Sequence, residues 1–224
     1  MKISDAVREI LYASEIAMSA FSDGVLNLSA YAKTIRKEVE ARTKKPVQAG
    51  SIVVALSRLK KSAKKGAPLI PEVEIEDLSV RSGLAEVTFD RTAGNLARLR
   101  ELYRDPRINA SDFFMVTQGA GEITIVALEG ALAHIIAVAR PARPKAAVRN
   151  LVGLTARFND KYIKIPNVVF VFVRRLALKR INIVEIVSTY TELTFIIDKG
   201  DLASAFLVLN GLFRGGNTDQ YPRS

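Results

Sequence analysis

This chain has no cysteine and a single histidine, His134, in 224 residues. Without cysteine there is no disulfide framework, no thiolate metal site and no catalysis by a thiol. The absence fits a reducing cytoplasm, the expected location. His134 lies among Ala133, Ile135 and Ile136 on a predicted helix, so it reads as a half-buried helix residue rather than a base or ligand. No glycine-rich loop with a lysine occurs, so nucleotide phosphates have no cradle. Long apolar runs are missing too: the longest, 168–173, is too short to cross a bilayer and ends at Arg174-Arg175. The opening residues Met1-Lys2-Ile3-Ser4-Asp5-Ala6-Val7-Arg8 lack the apolar core of a signal peptide. Glu72, Glu74, Glu76 and Asp77 alternate with Val73 and Ile75 and read as the wet face of an edge strand. The expectation is a soluble protein with no catalytic residues, no metal and no cofactor.

What the chain does have is positive charge in one place. The formal net charge is +10. Lys33, Arg36, Lys37, Arg42, Lys44, Lys45, Arg58, Lys60, Lys61, Lys64 and Lys65 stand within one short window, opposed there only by Glu38 and Glu40. The remainder is close to neutral. Such a localised field attracts a polyanion or an acidic surface, although a solvated basic face is the plainer alternative. An apolar fraction of 49% is ample for real cores, and the length suits two or three units.

Hydrophobic spacing divides the chain. Up to about residue 62 the spacing predicts three helices: Ile3, Val7, Ile10, Leu11 and Ser14 on the first, capped by Ser4 and ended at Ser22-Asp23-Gly24; Ala32, Ile35 and Val39 on the second, capped by Ser29 and stopped by Pro46; Ile52, Ala55, Leu56 and Leu59 on the third, from near Ser51. Residues 60–68 then read as a basic linker. From Val73 the period changes: strands through Ile75, Leu78, Val80, Leu84, Val87 and Phe89, a helix over 95–103, strands at 113–116 and 123–126 around Gln118-Gly119-Ala120-Gly121, and a helix over 130–138. After the Pro141-Ala142-Arg143-Pro144 connector the same order returns as strand 151–158, helix 168–179, strands 183–188 and 193–197, and helix 202–213. This is an internal repeat of about 70 residues, followed by a polar tail.

Particular residues carry a resemblance. Ile165-Pro166-Asn167-Val168 enters a helix by a turn, Ile181-Asn182-Ile183 opens the following strand, and Ser188-Thr189 ends it. In the first copy, Phe89-Asp90-Arg91-Thr92-Ala93-Gly94-Asn95-Leu96-Ala97 is similar to an Asp-x-Pro-Gly-x-Leu-Ala turn, and the hairpin from Thr117-Gln118 parallels 188–196. Over 78–213 the chain resembles the tandem ACT domains of aspartate kinase regulatory halves, which sense amino acids; the Lys-Phe-Gly-Gly opening of the kinase part is absent. The resemblance implies an α+β fold: tandem ferredoxin-like (βαββαβ) ACT modules at 72–141 and 148–214, after a small all-α domain at 1–66 and before a tail at 215–224. It also implies an amino-acid ligand near Asp90, Gly94, Asn95, Thr117 and Gln118 in one copy, and near Asp160, Ile165, Pro166, Asn167, Val168, Asn182, Ser188 and Thr189 in the other. A turn into a helix N-terminus offers free amides to a carboxylate. Gly94 and Asn167 tolerate a close backbone approach, Asn182 offers a donor and an acceptor, and Asp90 or Asp160 could neutralise an ammonium group. The plainer reading leaves Asn167 and Asn182 as turn caps.

Val47, Ile52 and Leu56, with Ala32, Ile35 and Val39 before them, keep the buried spacing of a helix-turn-helix, with or without a wing. Gln48, Ser51 and Arg58 would then face a DNA groove, with Lys44, Lys45, Lys60 and Lys61 on phosphates. Val53 and Val54 depart from that pattern, standing where polar groove-facing side chains are usual. The expected protein is an amino-acid-responsive, homodimeric transcriptional regulator that binds double-stranded DNA. A regulatory subunit acting on a separate biosynthetic enzyme and a ligand-free assembly module are the alternatives.

Overall fold

A computed structural model describes residues 1–63, 70–108 and 113–213. The chain divides into two compact units, Met1–Pro71 and Glu72–Ser224.

The first unit is built from α1 (Ile3–Tyr12), α2 (Glu15–Ser22), α3 (Leu28–Thr43) and α4 (Ala49–Ala63). There are four helices where three were expected, because Ser14 breaks the first segment. Its hydroxyl accepts from the Ala17 amide at 3.2 Å and caps α2. Asn27, not Ser29, caps α3 by accepting from Ala30 at 3.0 Å, and Ser4 lies inside α1 rather than capping it. Helix α3 ends on Lys44 at φ 54°, in the left-handed region, two residues before Pro46. Helix α4 runs on to Ala63, so Lys60 and Lys61 belong to a helix; residues 64–68 of the expected linker lie outside the described residues. Val7, Leu11, Ala32, Val39, Ile52 and Leu56 are fully buried at helical spacing, each large side chain contributing about 1.5–3 kcal/mol. Among the described residues this unit holds no strand, so nothing there forms a wing.

The second unit alternates strands with helices: β1 (Ile75–Asp90), α5 (Ala93–Glu101), β2 (Phe114–Gln118), β3 (Glu122–Leu128), α6 (Leu132–Val138), then β4 (Ala146–Phe158), α7 (Val168–Leu178), β5 (Ile183–Ser188), β6 (Glu192–Asp198) and α8 (Leu202–Asn210). All six strands form one antiparallel sheet in the order β2-β3-β1-β4-β6-β5. Each βαββα half supplies three of the four strands a ferredoxin-like unit needs, and takes the fourth from the other half. Strand β4 completes β2-β3-β1, and β1 completes β5-β6-β4. This double duty explains why β1 has 16 residues and β4 has 13. Both long strands bulge at their centres, at Gly83 (φ 73°) and Asn150 (φ 60°), where the register shifts on either side of the Leu84–Leu151 pair.

Alternation then assigns the two faces. Val87, Phe89, Ile123 and Ile125 pack beneath Leu99, Leu132 and Ile135 of α5 and α6. In the second half Phe172 of α7 lies 6.0 Å, ring to ring, from both Phe158 and Phe195. The other face carries Leu84, Val126, Leu151 and Ile196, with Phe113, Met115, Leu128 and Val184 packed against them. Those residues come from both ends of the strand order, so the sheet curls towards this face. Gly153 makes the curl close: a Cβ there would stand 3.2 Å from Leu84 Cδ1 and 3.3 Å from Ile196 Cδ1.

Candidate functional site

The two halves differ most in how the first strand meets the first helix. After β1 only residues 91 and 92 precede α5, and Thr92 caps it by accepting from the Asn95 amide at 3.1 Å. After β4 residues 159–167 intervene before α7. Asn159 starts that loop by accepting from Lys161, a single 3₁₀ turn follows, and Tyr162 turns inward. Its ring meets Phe158 edge-on at 6.5 Å, and its hydroxyl accepts from the Glu74 amide at 3.1 Å. Asn167 ends the loop at φ 68°, the left-handed conformation that asparagine tolerates.

This longer loop, the start of α7 and the β5–β6 turn border an open cleft of about 570 Å³. Phe158, Tyr162 and Leu193 line it from the sheet side. Ile163, Ile165, Val168, Val169 and Phe170 line it from the loop and α7, and Ser188, Thr189 and Tyr190 from the hairpin. The first intrahelical bond of α7 is donated by Val171 to Asn167 O at 3.2 Å. The amides of Val168, Val169 and Phe170 therefore precede the helical ladder and face an anion with the positive end of the helix dipole. Among the described residues no carboxylate lines the cavity.

Of the residues singled out from sequence, the fold brings Ile165, Asn167, Val168, Ser188 and Thr189 together around this space. Pro166 is exposed in the same loop but outside the lining, and so is Asp160. Asn182 precedes β5 while Ser188 ends it, so a strand of six residues, about 20 Å, separates Asn182 from the hairpin end. In the first half, Asn95 is buried and spends its side-chain amide on Asp90 O at 2.8 Å. The Asp90 carboxylate stands 3.4 Å from Lys145. Gly94 has no positive φ and sits in the first turn of α5. Thr117 and Gln118 are exposed at the end of β2. The lining residues missed from sequence (Phe158, Tyr162, Ile163, Val169, Phe170, Tyr190 and Leu193) carried one signal, the greater length of residues 159–167 against 91–92.

Two further places carry ionisable groups in unusual settings. Glu86 lies on the curled face of the sheet, 9% exposed, and its Oε2 is buried without a hydrogen bond. Burial, and next the charge of Glu185, push its pKa up to about 7. His134 meets the Asp105 carboxylate, which Arg107 first and His134 second hold well below the usual carboxylate range. Among the described residues no group of His, Asp and Glu side chains converges as a metal site, and no helix is long and apolar enough to cross a membrane.

On the helical unit, Ser51, Arg58 and Lys61 form an exposed stripe of α4, with Gln48 exposed just before the helix; Lys44 and Lys45 are exposed in the preceding turn, and Lys60 is half-buried. Val53 packs partly into the core, whereas Val54 is 50% exposed on the same stripe.

No family model matches the sequence, and no curated protein matches it. Solved structures do. The ligand-free regulatory subunit of aspartate kinase from Thermus thermophilus matches with a TM-score of 0.52 at 12% identity, over 64% of this chain and 100% of that one. Aspartokinase alpha and beta subunits match at 0.51 and 14% identity, over 62% of this chain and 97% of that one. Clostridium acetobutylicum aspartate kinase matches at 0.53 and 11% identity, over 67% of this chain and 37% of that one. At such low identity these likenesses establish the fold: the chain has the tandem ACT-like α+β architecture of aspartate kinase regulatory parts, with a helical segment ahead of it.

Proposed function

We propose that this chain is an amino-acid-responsive regulator, with the ligand seated in the cavity at the start of α7. The observation that carries this reading is the coincidence of unbonded first-turn amides with an open, largely apolar cleft of about 570 Å³. The ligand carboxylate is held by the amides of Val168, Val169 and Phe170. Ser188 and Thr189 supply oxygens to the ammonium group. The ligand side chain meets Phe158, Tyr162 and Leu193, and no carboxylate is there to pair a second cation. An apolar amino acid therefore fits better than lysine. A thermal-shift series over the twenty amino acids is expected to show a saturable rise for one or more of leucine, isoleucine, valine and phenylalanine. Ile165 is a 39% exposed rim residue, so Ile165→Asp is expected to abolish that rise without lowering the unliganded midpoint. A series with no rise rejects the ligand reading.

In the same proposal the output is DNA binding by the exposed stripe of α4, with Gln48, Ser51 and Arg58 at the groove and Lys44, Lys45, Lys60 and Lys61 at the backbone. The protein acts as a homodimer whose arrangement the ligand biases. Titration with duplex DNA at several salt concentrations tests it, since phosphate-driven affinity falls steeply as salt rises. A second reading, a subunit acting on a separate enzyme, is favoured by the likeness to regulatory subunits that are separate chains; no DNA binding at low salt would select it.

A further inference from the structure

A second cavity, of about 540 Å³, lies within the helical unit between the first turn of α1 and the outward face of α4. Lys2, Arg8, Lys45 and Arg58 line it, with the hydroxyl-bearing Ser4 and Ser51. Val54, Ala55 and Leu59 form its apolar wall. Among the described residues no carboxylate does. Of the acids on α1 and α3, Glu9 and Glu38 pair with Arg42 at 3.1 and 2.7 Å and Glu40 with Arg36 at 3.0 Å, while Asp5, in the first turn of α1, stands outside the lining. Glu40 also accepts from the Val47 amide, which with Arg36 holds its carboxyl below the usual range. Among the described residues none of the four cleft cations has an ion-pair partner. Four like charges around one cavity repel each other, and an anion relieves that repulsion.

Backbone donors converge on the same cavity. Lys2 is the N-cap of α1 and its side chain makes no cap. The Asp5 and Ala6 amides donate to Lys2 O at 3.2 and 3.1 Å, leaving the amides of Ile3 and Ser4 at the cleft ahead of them. Guanidinium and ammonium groups, two hydroxyls and a helix start together offer more donors than a carboxylate can accept from. They suit the several oxygens of a phosphate. The wall of Val54, Ala55 and Leu59 would take the apolar face of an attached sugar.

We propose that this cleft is a phosphate-binding site. The proposal deepens the DNA reading, on which it rests only for the source of the phosphate: a backbone phosphodiester, or a free phosphoanion of the same chemistry. Lys2, Ser4 and Arg8 are the new members, and Ser51 and Arg58 serve a backbone phosphate here rather than the groove. Sequence spacing had placed phosphate contacts only on the turn and on α4, because α1 joins them only through packing.

Lys2 and Arg8 are exposed and outside the core, so Lys2→Gln with Arg8→Gln leaves the fold intact; circular dichroism checks this. Lys37→Gln, exposed on α3 and outside the cleft, is the control. The intact protein is titrated with duplex DNA across salt concentrations, and by calorimetry with pyrophosphate. If the phosphodiester is the occupant, the double variant loses roughly tenfold or more in DNA affinity at 0.1 M salt and its salt slope falls by about two, while the control is unchanged. If a free phosphoanion is the occupant, pyrophosphate binds saturably, the double variant abolishes that binding, and DNA does not bind; this sinks the DNA reading but not the cleft. DNA binding that is indifferent to the double variant, together with no pyrophosphate binding, overturns the cleft and leaves the DNA reading standing. No binding of either probe overturns both.

Discussion

Glu86→Gln should make the protein more stable above about pH 5, and most of all at neutral pH and above. In the native sheet this carboxyl is raised from 4.5 to about 7, mostly by burial and then by the charge of Glu185. The folded state therefore holds the proton more tightly than the unfolded chain does. Its stabilising effect is complete below about pH 4.5 and is lost as pH rises through about 7. One pKa unit corresponds to about 1.4 kcal/mol, so the loss reaches about 3 kcal/mol at most; water admitted to the curled face screens it, which places the expected plateau at about 1–3 kcal/mol. Glutamine has nearly the same shape and does not ionise. Urea unfolding of wild type and variant at pH 5, 6, 7 and 8 should show a difference that is small at pH 5, grows through pH 6 and 7, and then levels. Glu185→Gln should move the wild-type step to lower pH, by less than burial does. A Glu86→Gln difference that is the same at every pH would refute the reasoning, since the effect would then be packing rather than ionisation.

Gly153→Ala places a methyl 3.2 Å from Leu84 Cδ1 and 3.3 Å from Ile196 Cδ1 in a fully packed face; a loss of about 1–3 kcal/mol in chemical denaturation is expected, and an unchanged midpoint would show that the face yields. Thr92→Ala removes the acceptor that caps α5 and should cost about 1 kcal/mol, measured the same way, while Thr92→Ser should retain most of the stability.

The repeat of the second unit was legible because its strands alternate and its helices do not, a difference in period that residues such as Val87, Phe89, Phe195 and Ile197 carry locally. The resemblance at Asp90–Ala97 and Ile165–Val168 likewise depends only on neighbours in sequence. Helix ends were less legible. Ser14, Ser29 and Ser4 are all competent caps, and which one acts depends on where packing starts the helix.

By itself, then, the sequence determined the elements, their order, the duplication and the basic character of the first unit, since each follows from local spacing and composition. The tertiary structure decided that the halves exchange long strands to share one sheet, a choice made by bulges at Gly83 and Asn150 whose partners lie on another strand. It also decided which named residues meet: Ser188 and Thr189 reach the α7 cavity while Asn182, at the other end of the same strand, does not. Likewise, Glu86 became a buried acid only because the sheet curls, bringing Met115 and Val184 from opposite edges onto one face.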